Sequence, residues 1–329
     1  MLLTEPRQAD HLAVPTPGRC AGLHLTAPTL AWLGVVVAAV GGHHLALTGS
    51  IGTVRHPLAE ALANLSMSLP RSDAERIAAI WQHRPDQLWL APKGQPRLVR
   101  RNHTARPVDL LGTGDPHRPG AVTLADTGVL VLDQVGWYDP QTAAALAATL
   151  AAGSITHHGP AGSHTWPARF QAVFTSTPCG CVVHLLDHPC RQPDTEQLAY
   201  QAQMATLTRF ADLRIDLDSA PPCPHYDIAG RDTIGVRRLV AAATWRSRIR
   251  LNGLGVRRAA DLRHDLRAPA LWDTPALQRL RRRLNRDRIT VAEYTAVSRV
   301  AVTLADIAGR PGPDLTDVRT AGLLHGVDL

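Results

Sequence analysis

Gly49-Ser50-Ile51-Gly52-Thr53-Val54-Arg55-His56 is the stretch on which the reading of this chain turns. It keeps the frame of a phosphate-binding loop and loses the side chains that grip phosphate. Such a loop reads G-x-x-x-x-G-K-[ST]: backbone N–H groups cradle the phosphates, the Lys reaches the β/γ-phosphates, and the Ser or Thr holds Mg²⁺. Gly49 supplies the first glycine and Gly52 adds freedom, but the second glycine is Val54, the Lys is Arg55 and the Ser/Thr is His56. The flanks fit the frame: His43–Thr48 predicts a strand and Pro57–Leu69 a helix. Lys93 is the single lysine of the chain, so no intact loop of this kind lies elsewhere.

A second stretch supports the first. Gly128-Val129-Leu130-Val131-Leu132-Asp133-Gln134 is an apolar run ending in an acid, the pattern of a buried parallel strand delivering a carboxylate to a nucleotide. The residue after that acid polarises water in a working ATPase. Gln134 can orient a water but cannot take its proton.

The 329 residues suit one or two domains, and 45% hydrophobic with 19% charged residues marks a globular chain. The net charge of +7 comes almost wholly from arginine and permits acidic partners, DNA among them, without identifying one. Leu30–Val40 is shorter than the ~20 apolar residues that a bilayer span needs. No signal peptide opens the chain, and five cysteines, three of them clustered, do not form a secreted disulfide framework. The expected compartment is the cytoplasm, with no membrane partner.

Residues 1–22 read as a loosely ordered tail. From Leu23 the pattern is α/β: a helix over Thr29–Val40, the strand into the loop, a helix over Asp73–His83, a Pro/Gly/Arg-rich loop over Pro92–Pro119, and the Asp133 strand. Asp139-Pro140 caps the next helix. Gly153–Thr165 predicts a hairpin, and Arg169–Ser176 and Arg214–Asp218 predict strands. Alternating strands and helices imply a mainly parallel sheet covered on both faces. Beyond residues 219–224 the pattern is helical only: Asp232–Arg250, Thr274–Asn285, a helix opened by the capping box Thr290–Glu293 and stopped by Gly309, and Asp314–His325. The expected organisation is an α/β core over 23–220 and a helical lid over 221–329.

Further segments follow in order: Gly41-Gly42-His43-His44-Leu45, Asn102-His103-Thr104-Ala105, Arg118–Ala125, Gly153-Ser154-Ile155-Thr156, Pro167–Gln171, Pro178-Cys179-Gly180-Cys181, Arg214-Ile215-Asp216-Leu217 and Arg299-Val300-Ala301 with Ala305-Asp306. Together with the two motifs, they make the chain resemble the AAA+ ATPases of the magnesium chelatase type, particularly the ComM-like competence proteins related to the chelatase I subunit. The resemblance runs from about residue 29 to the C-terminus. It implies an AAA+ P-loop core with a helical lid, ATP and Mg²⁺ as ligands, and assembly into a homo- or hetero-oligomeric ring.

The resemblance also assigns roles. Gly49 to His56 are the nucleotide loop, Asp133 the acid that serves Mg²⁺, Gln134 the catalytic Glu position, and Thr177 the position of the sensor Asn. Arg214 matches the arginine offered to a neighbouring subunit's nucleotide, and Arg299 the lid arginine that senses the γ-phosphate. Both arginines also suit plain ion-pair roles. Because Lys, Ser/Thr, Glu and Asn are replaced, the chain reads as a module with hydrolysis lost or impaired, acting as a partner or ring subunit. The alternatives are an active ATPase that remodels DNA or assists metal insertion, and a zinc-stabilised DNA-binding or scaffold protein.

Cys179-x-Cys181 with Cys190 is the other chemical feature. The resemblance implies four thiols at this loop, and the fourth position is Gln192. His184 or His188 could complete a tetrahedral Cys₃His zinc site; three reduced thiols are the competing reading. His157, His158 and His164 fall on the hairpin and read as solvated turn residues, and Arg281–Arg283 with Arg286 and Arg288 as a solvated surface.

Overall fold

The structure, a computed structural model, describes residues 29–86, 94, 96–160, 162–181, 190, 192–220, 233–252, 254–262 and 273–329. The elements run α1 (Thr29–Gly41), β1 (Leu45–Thr48), α2 (Arg55–Leu65), α3 (Arg71–Gln82), β2 (Leu98–Asn102), α4 (Pro107–Leu111), β3 (Gly112–Gly114), β4 (His117–Pro119), α5 (Ala121–Leu124) and β5 (Val129–Asp133). They continue with α6 (Pro140–Ala152), β6 (Ser154–Gly159), β7 (Gly162–Pro167), β8 (Gln171–Ser176), α7 (Asp194–Thr208), β9 (Leu213–Asp216), α8 (Thr233–Asn252), α9 (Pro275–Leu284), α10 (Val291–Ala308) and α11 (Leu315–His325).

The central sheet has five strands in the order β2-β5-β8-β1-β9, all parallel. β1, β5 and β8 are apolar runs because strands buried on both faces have no solvent side to alternate with. One sequence expectation is overturned here. Pro92–Pro119, read as loop, contains the edge strand β2, the helix α4 and the small antiparallel pair β3–β4.

Helix ends follow their local chemistry. Asp139 accepts from the N–H groups of Gln141 and Thr142 with Pro140 at the first helical position of α6. Thr290 and Glu293 exchange bonds as a capping box on α10, which ends at Gly309 in the left-handed conformation (φ 72°). β6 and β7 form the expected hairpin.

The C-terminal helices are continuous with the core. Eleven of the 13 residues of α1 are buried, and α1 packs against α2, α8 and α10. A single cluster of buried side chains joins Leu33 and Val36 of α1, Leu45 of β1, Val240 of α8, Leu280 of α9, Val300 of α10 and Leu324 of α11. A polar chain also crosses this contact: His43 Nδ1 meets Asp212 Oδ2 at 2.8 Å and His43 Nε2 meets Thr303 Oγ1 at 2.8 Å.

Candidate functional site

Parallel strands aim their carboxyl ends one way, and ligands of open α/β sheets bind beyond those ends. Register places Thr48 beside Ser176 and Asp216, and Asp133 beside Thr175. The loop 49–54, Asp133 and the turn after β9 therefore gather at one edge, with β8 between the loop strand and the Asp133 strand.

The loop is closed on itself. Gly49 N–H donates to Ser176 O at 3.2 Å, and the N–H and Oγ1–H of Thr53 donate to Ser50 O at 3.2 and 2.8 Å. Ser50 donates from its backbone N–H (2.8 Å) and its hydroxyl (2.7 Å) to Asp218 Oδ2. An internal carboxylate thus does at the entrance of the loop what an anion would do. Gly52 sits at φ 91° with open space around it, while Ile51 is exposed. Val54 has φ −78°, which a β-branched residue adopts without strain, so the left-handed step lies at Gly52 and the glycine conformation expected at position 54 is not used.

Arg55 opens α2 and is only 6% exposed; its Nε and Nη1 have no hydrogen-bond partner among the described residues. Burial pulls its guanidinium below the usual value, against the opposing pull of Asp133 and Asp218.

His56, one residue on, turns to Asp133. His56 Nε2 lies 3.1 Å from Asp133 Oδ1, and Arg100 Nη2 lies 2.9 Å from His56 Nδ1 and 3.4 Å from Asp133 Oδ2. The same Arg100 Nη2 lies 2.7 Å from His56 Nε2, so the guanidinium reaches both ring nitrogens. Thr175 donates its hydroxyl to the same carboxylate. Burial alone would raise the Asp133 carboxyl, but the bonds from Thr175 and His56 and the charge of Arg100 hold it below the ordinary range.

Gln134 adopts the left-handed conformation (φ 59°), and its buried Oε1 has no partner among the described residues. Thr177 follows β8, and its hydroxyl turns inward to donate to Cys179 O at 2.8 Å. Tyr200 of α7 closes over this corner, with its hydroxyl 2.6 Å from Ser176 Oγ.

The lid arginine Arg299 is not brought to the loop. Arg299 Nε donates to Leu262 O at 2.6 Å and its Nη1 lies 3.5 Å from Asp212 Oδ1. Asp212 precedes Leu213, which pairs with Leu45 at the first position of β1, so Arg299 sits at the amino ends of the strands. Arg214 lies on the edge strand β9, where it is exposed.

Cys179, Cys181 and Cys190 converge, with all three sulfurs within 4.8 Å of one another. Burial pushes the Cys179 thiol up to about 12. Gln192, at the fourth position, donates from Nε2 to Gly180 O at 2.9 Å. His184 and His188 lie outside the described residues.

Arg100 and Asp218 are the residues that sequence reasoning passed over. Arg100 sits in a stretch read as loop, and only the pairing of β2 with β5 brings it opposite Val131, one step diagonal to Asp133 on the same face. Asp218 closes the strand read over Arg214–Asp218 and lies just beyond the observed β9, and its acidic side chain was the available signal.

A sequence model of the family described as "Magnesium chelatase, subunit ChlI" matches residues 26–222, more than half of the chain. The chain belongs to this family. Among the relatives of this chelatase-family protein, the uncharacterized protein Rv2897c of Mycobacterium tuberculosis is 31% identical over 293 residues, covering 87% of this chain and 58% of the relative. The uncharacterized protein YifB of Escherichia coli is 27% identical over 296 residues, covering 83% and 54%. The competence protein ComM of Haemophilus influenzae is 24% identical over 281 residues, covering 84% and 54%. The chain spans little more than half the length of these relatives. The parallel five-stranded sheet and C-terminal helices are those of a P-loop AAA+ core with its helical lid. Among the described residues no helix is long and apolar enough to cross a membrane.

Proposed function

We propose that this member of the chelatase family is a non-hydrolysing AAA+ module that acts as a partner or ring subunit rather than as the motor. The observation that carries this reading is the state of Asp133. In a nucleotide site this carboxylate faces Mg²⁺, a hard cation that takes oxygen ligands and keeps several waters. Here it faces an imidazole nitrogen at 3.1 Å and a guanidinium at 3.4 Å. A cation already built into the chain opposes a dication at that position, and a nitrogen ligand suits Mg²⁺ poorly. The residues present do not fit Mg²⁺.

Two further features support the same reading. Asp218 occupies the Ser50 N–H and hydroxyl, so one donor of the phosphate cradle is already bound to a negative charge. Gln134 cannot serve as a general base, a loss that alone costs ~10²–10⁴ in rate. What remains for a nucleotide is weak attraction to the amino end of α2 and to Arg55.

The test compares the natural protein with a variant carrying Val54→Gly, Arg55→Lys, His56→Thr, Arg100→Ala and Gln134→Glu. Ligand at a hundredfold excess over its Kd stabilises a fold by about 2.7 kcal/mol. Saturating MgATP is expected to leave the melting temperature of the natural protein within a degree and to raise that of the repaired variant. A shift of several degrees with steady turnover in the natural protein would overturn the proposal.

A further inference from the structure

We propose that Cys179, Cys181 and Cys190 form a three-thiolate site for a soft divalent metal, with Zn²⁺ as its ligand. In this site the metal pins the chain leaving β8 to the chain entering α7.

The geometry carries the proposal. Cys179 and Cys181 follow β8, and Cys190 shortly precedes α7, so the sulfurs come from two segments that meet only in the fold. All three lie within 4.8 Å of one another, and Cys181 Sγ and Cys190 Sγ are 3.2 Å apart. Sulfurs bound to one tetrahedral zinc at ~2.3 Å stand roughly 3.8 Å from each other. One pair stands closer than that spacing and no pair exceeds 4.8 Å, so a small adjustment centres an ion. The sulfurs are not joined as disulfides, and thiolate is the ligand type that selects zinc over hard cations.

The surroundings are built to hold this corner tightly. Gly180, between two of the cysteines, lets Tyr200 and Gln192 approach: a Cβ there would meet Tyr200 Cδ2 at 3.1 Å and Gln192 Oε1 at 3.2 Å. Gln192 and Thr177 tie down the carbonyls of Gly180 and Cys179. Each thiol gives up its proton to solvent as the metal binds, and one tetrahedral position is left for a further donor. The site stands beside the nucleotide position but requires no nucleotide, so its test is independent of ATP binding.

The experiment uses the full chain purified without chelator. Metal analysis is expected to find about one equivalent of zinc per chain. Replacing zinc with Co²⁺ is expected to give sulfur-to-cobalt charge-transfer absorption and the visible bands of tetrahedral cobalt. Cys179→Ser and Cys190→Ser are expected to lower the zinc content more than tenfold. As a check that does not depend on how the variants fold, zinc added to the reduced natural protein should slow alkylation of these three cysteines at least tenfold relative to Cys20 and Cys223. Natural protein with under a tenth of an equivalent of zinc, no cobalt charge transfer and no protection would overturn the proposal. So would a metal-free protein 2 Da lighter with Cys181 and Cys190 cross-linked.

Discussion

At the scale of single residues, His44 is held as a neutral acceptor. Its Nδ1 accepts the Ala172 N–H at 2.9 Å, which requires the ring to carry its proton on Nε2. Burial drives its pKa down to about 4, with Arg258 and His43 adding to the fall and Asp212 and Asp261 opposing it. The sign follows from linkage. The folded state disfavours the charged ring, so stability is full above the ordinary value near 6.5 and falls as pH drops from there toward 4. A shift of that size corresponds to about 3 kcal/mol. The His44 ring is expected to show no titration by NMR until the pH approaches 4. His44→Gln keeps an acceptor for Ala172 and removes the titration, so urea unfolding between pH 7 and 4.5 should be flatter in the variant. A His44 midpoint near 6.5 would mean that Nδ1 does not accept from the strand. At Asp133 the partners are His56 and Arg100. His56 was legible in the sequence as a broken motif position. Its partner Arg100 was not, because the contact is made by strand pairing rather than by spacing along the chain.

At the scale of elements, local capping chemistry sets the helix boundaries, and that is why those boundaries were readable. The Thr290 hydroxyl accepts the Glu293 N–H at 3.2 Å, and Glu293 Oε2 accepts the Thr290 N–H at 2.7 Å. Thr290→Ala removes half of this box and is expected to cost about 1 kcal/mol. It should lower the melting temperature by a few degrees, and Thr290→Ser should restore most of the loss. No change in the alanine variant would show that α10 is fixed by packing alone. The elements that sequence reading missed lack such signals. β2 (Leu98–Asn102) carries two arginines and an asparagine in five residues, as an edge strand can when only one side pairs. Only Tyr200 and Leu207 of the 15 residues of α7 are buried, too few to give a helical apolar rhythm. Its place over Ser176 and Thr177 is set by tertiary contact.

At the scale of the whole molecule, the division into an α/β core and a helical lid describes the chain's order but not its energetics. α1 belongs to the first part and is buried on nearly every side, partly by α8 and α10 of the second. The polar chain from Asp212 through His43 to Thr303 runs across the same contact, with both ends of His43 satisfied. Burial of a large apolar side chain is worth roughly 1.5–3 kcal/mol. Exposing five such residues would cost about 8–15 kcal/mol, as much as the whole net stability of a typical domain, about 5–15 kcal/mol. A fragment of residues 29–220 is therefore expected to lack a cooperative thermal transition and to self-associate, although it holds every strand of the sheet. The full chain is expected to unfold in a single transition by both far-ultraviolet circular dichroism and tryptophan fluorescence. A monomeric fragment with a sharp melt would show that the helical part is a separable lid. Within the present packing it cannot swing freely over the loop, because movement of α8 and α10 would uncover α1 and strand His43, and this favours a fixed scaffold over a moving motor.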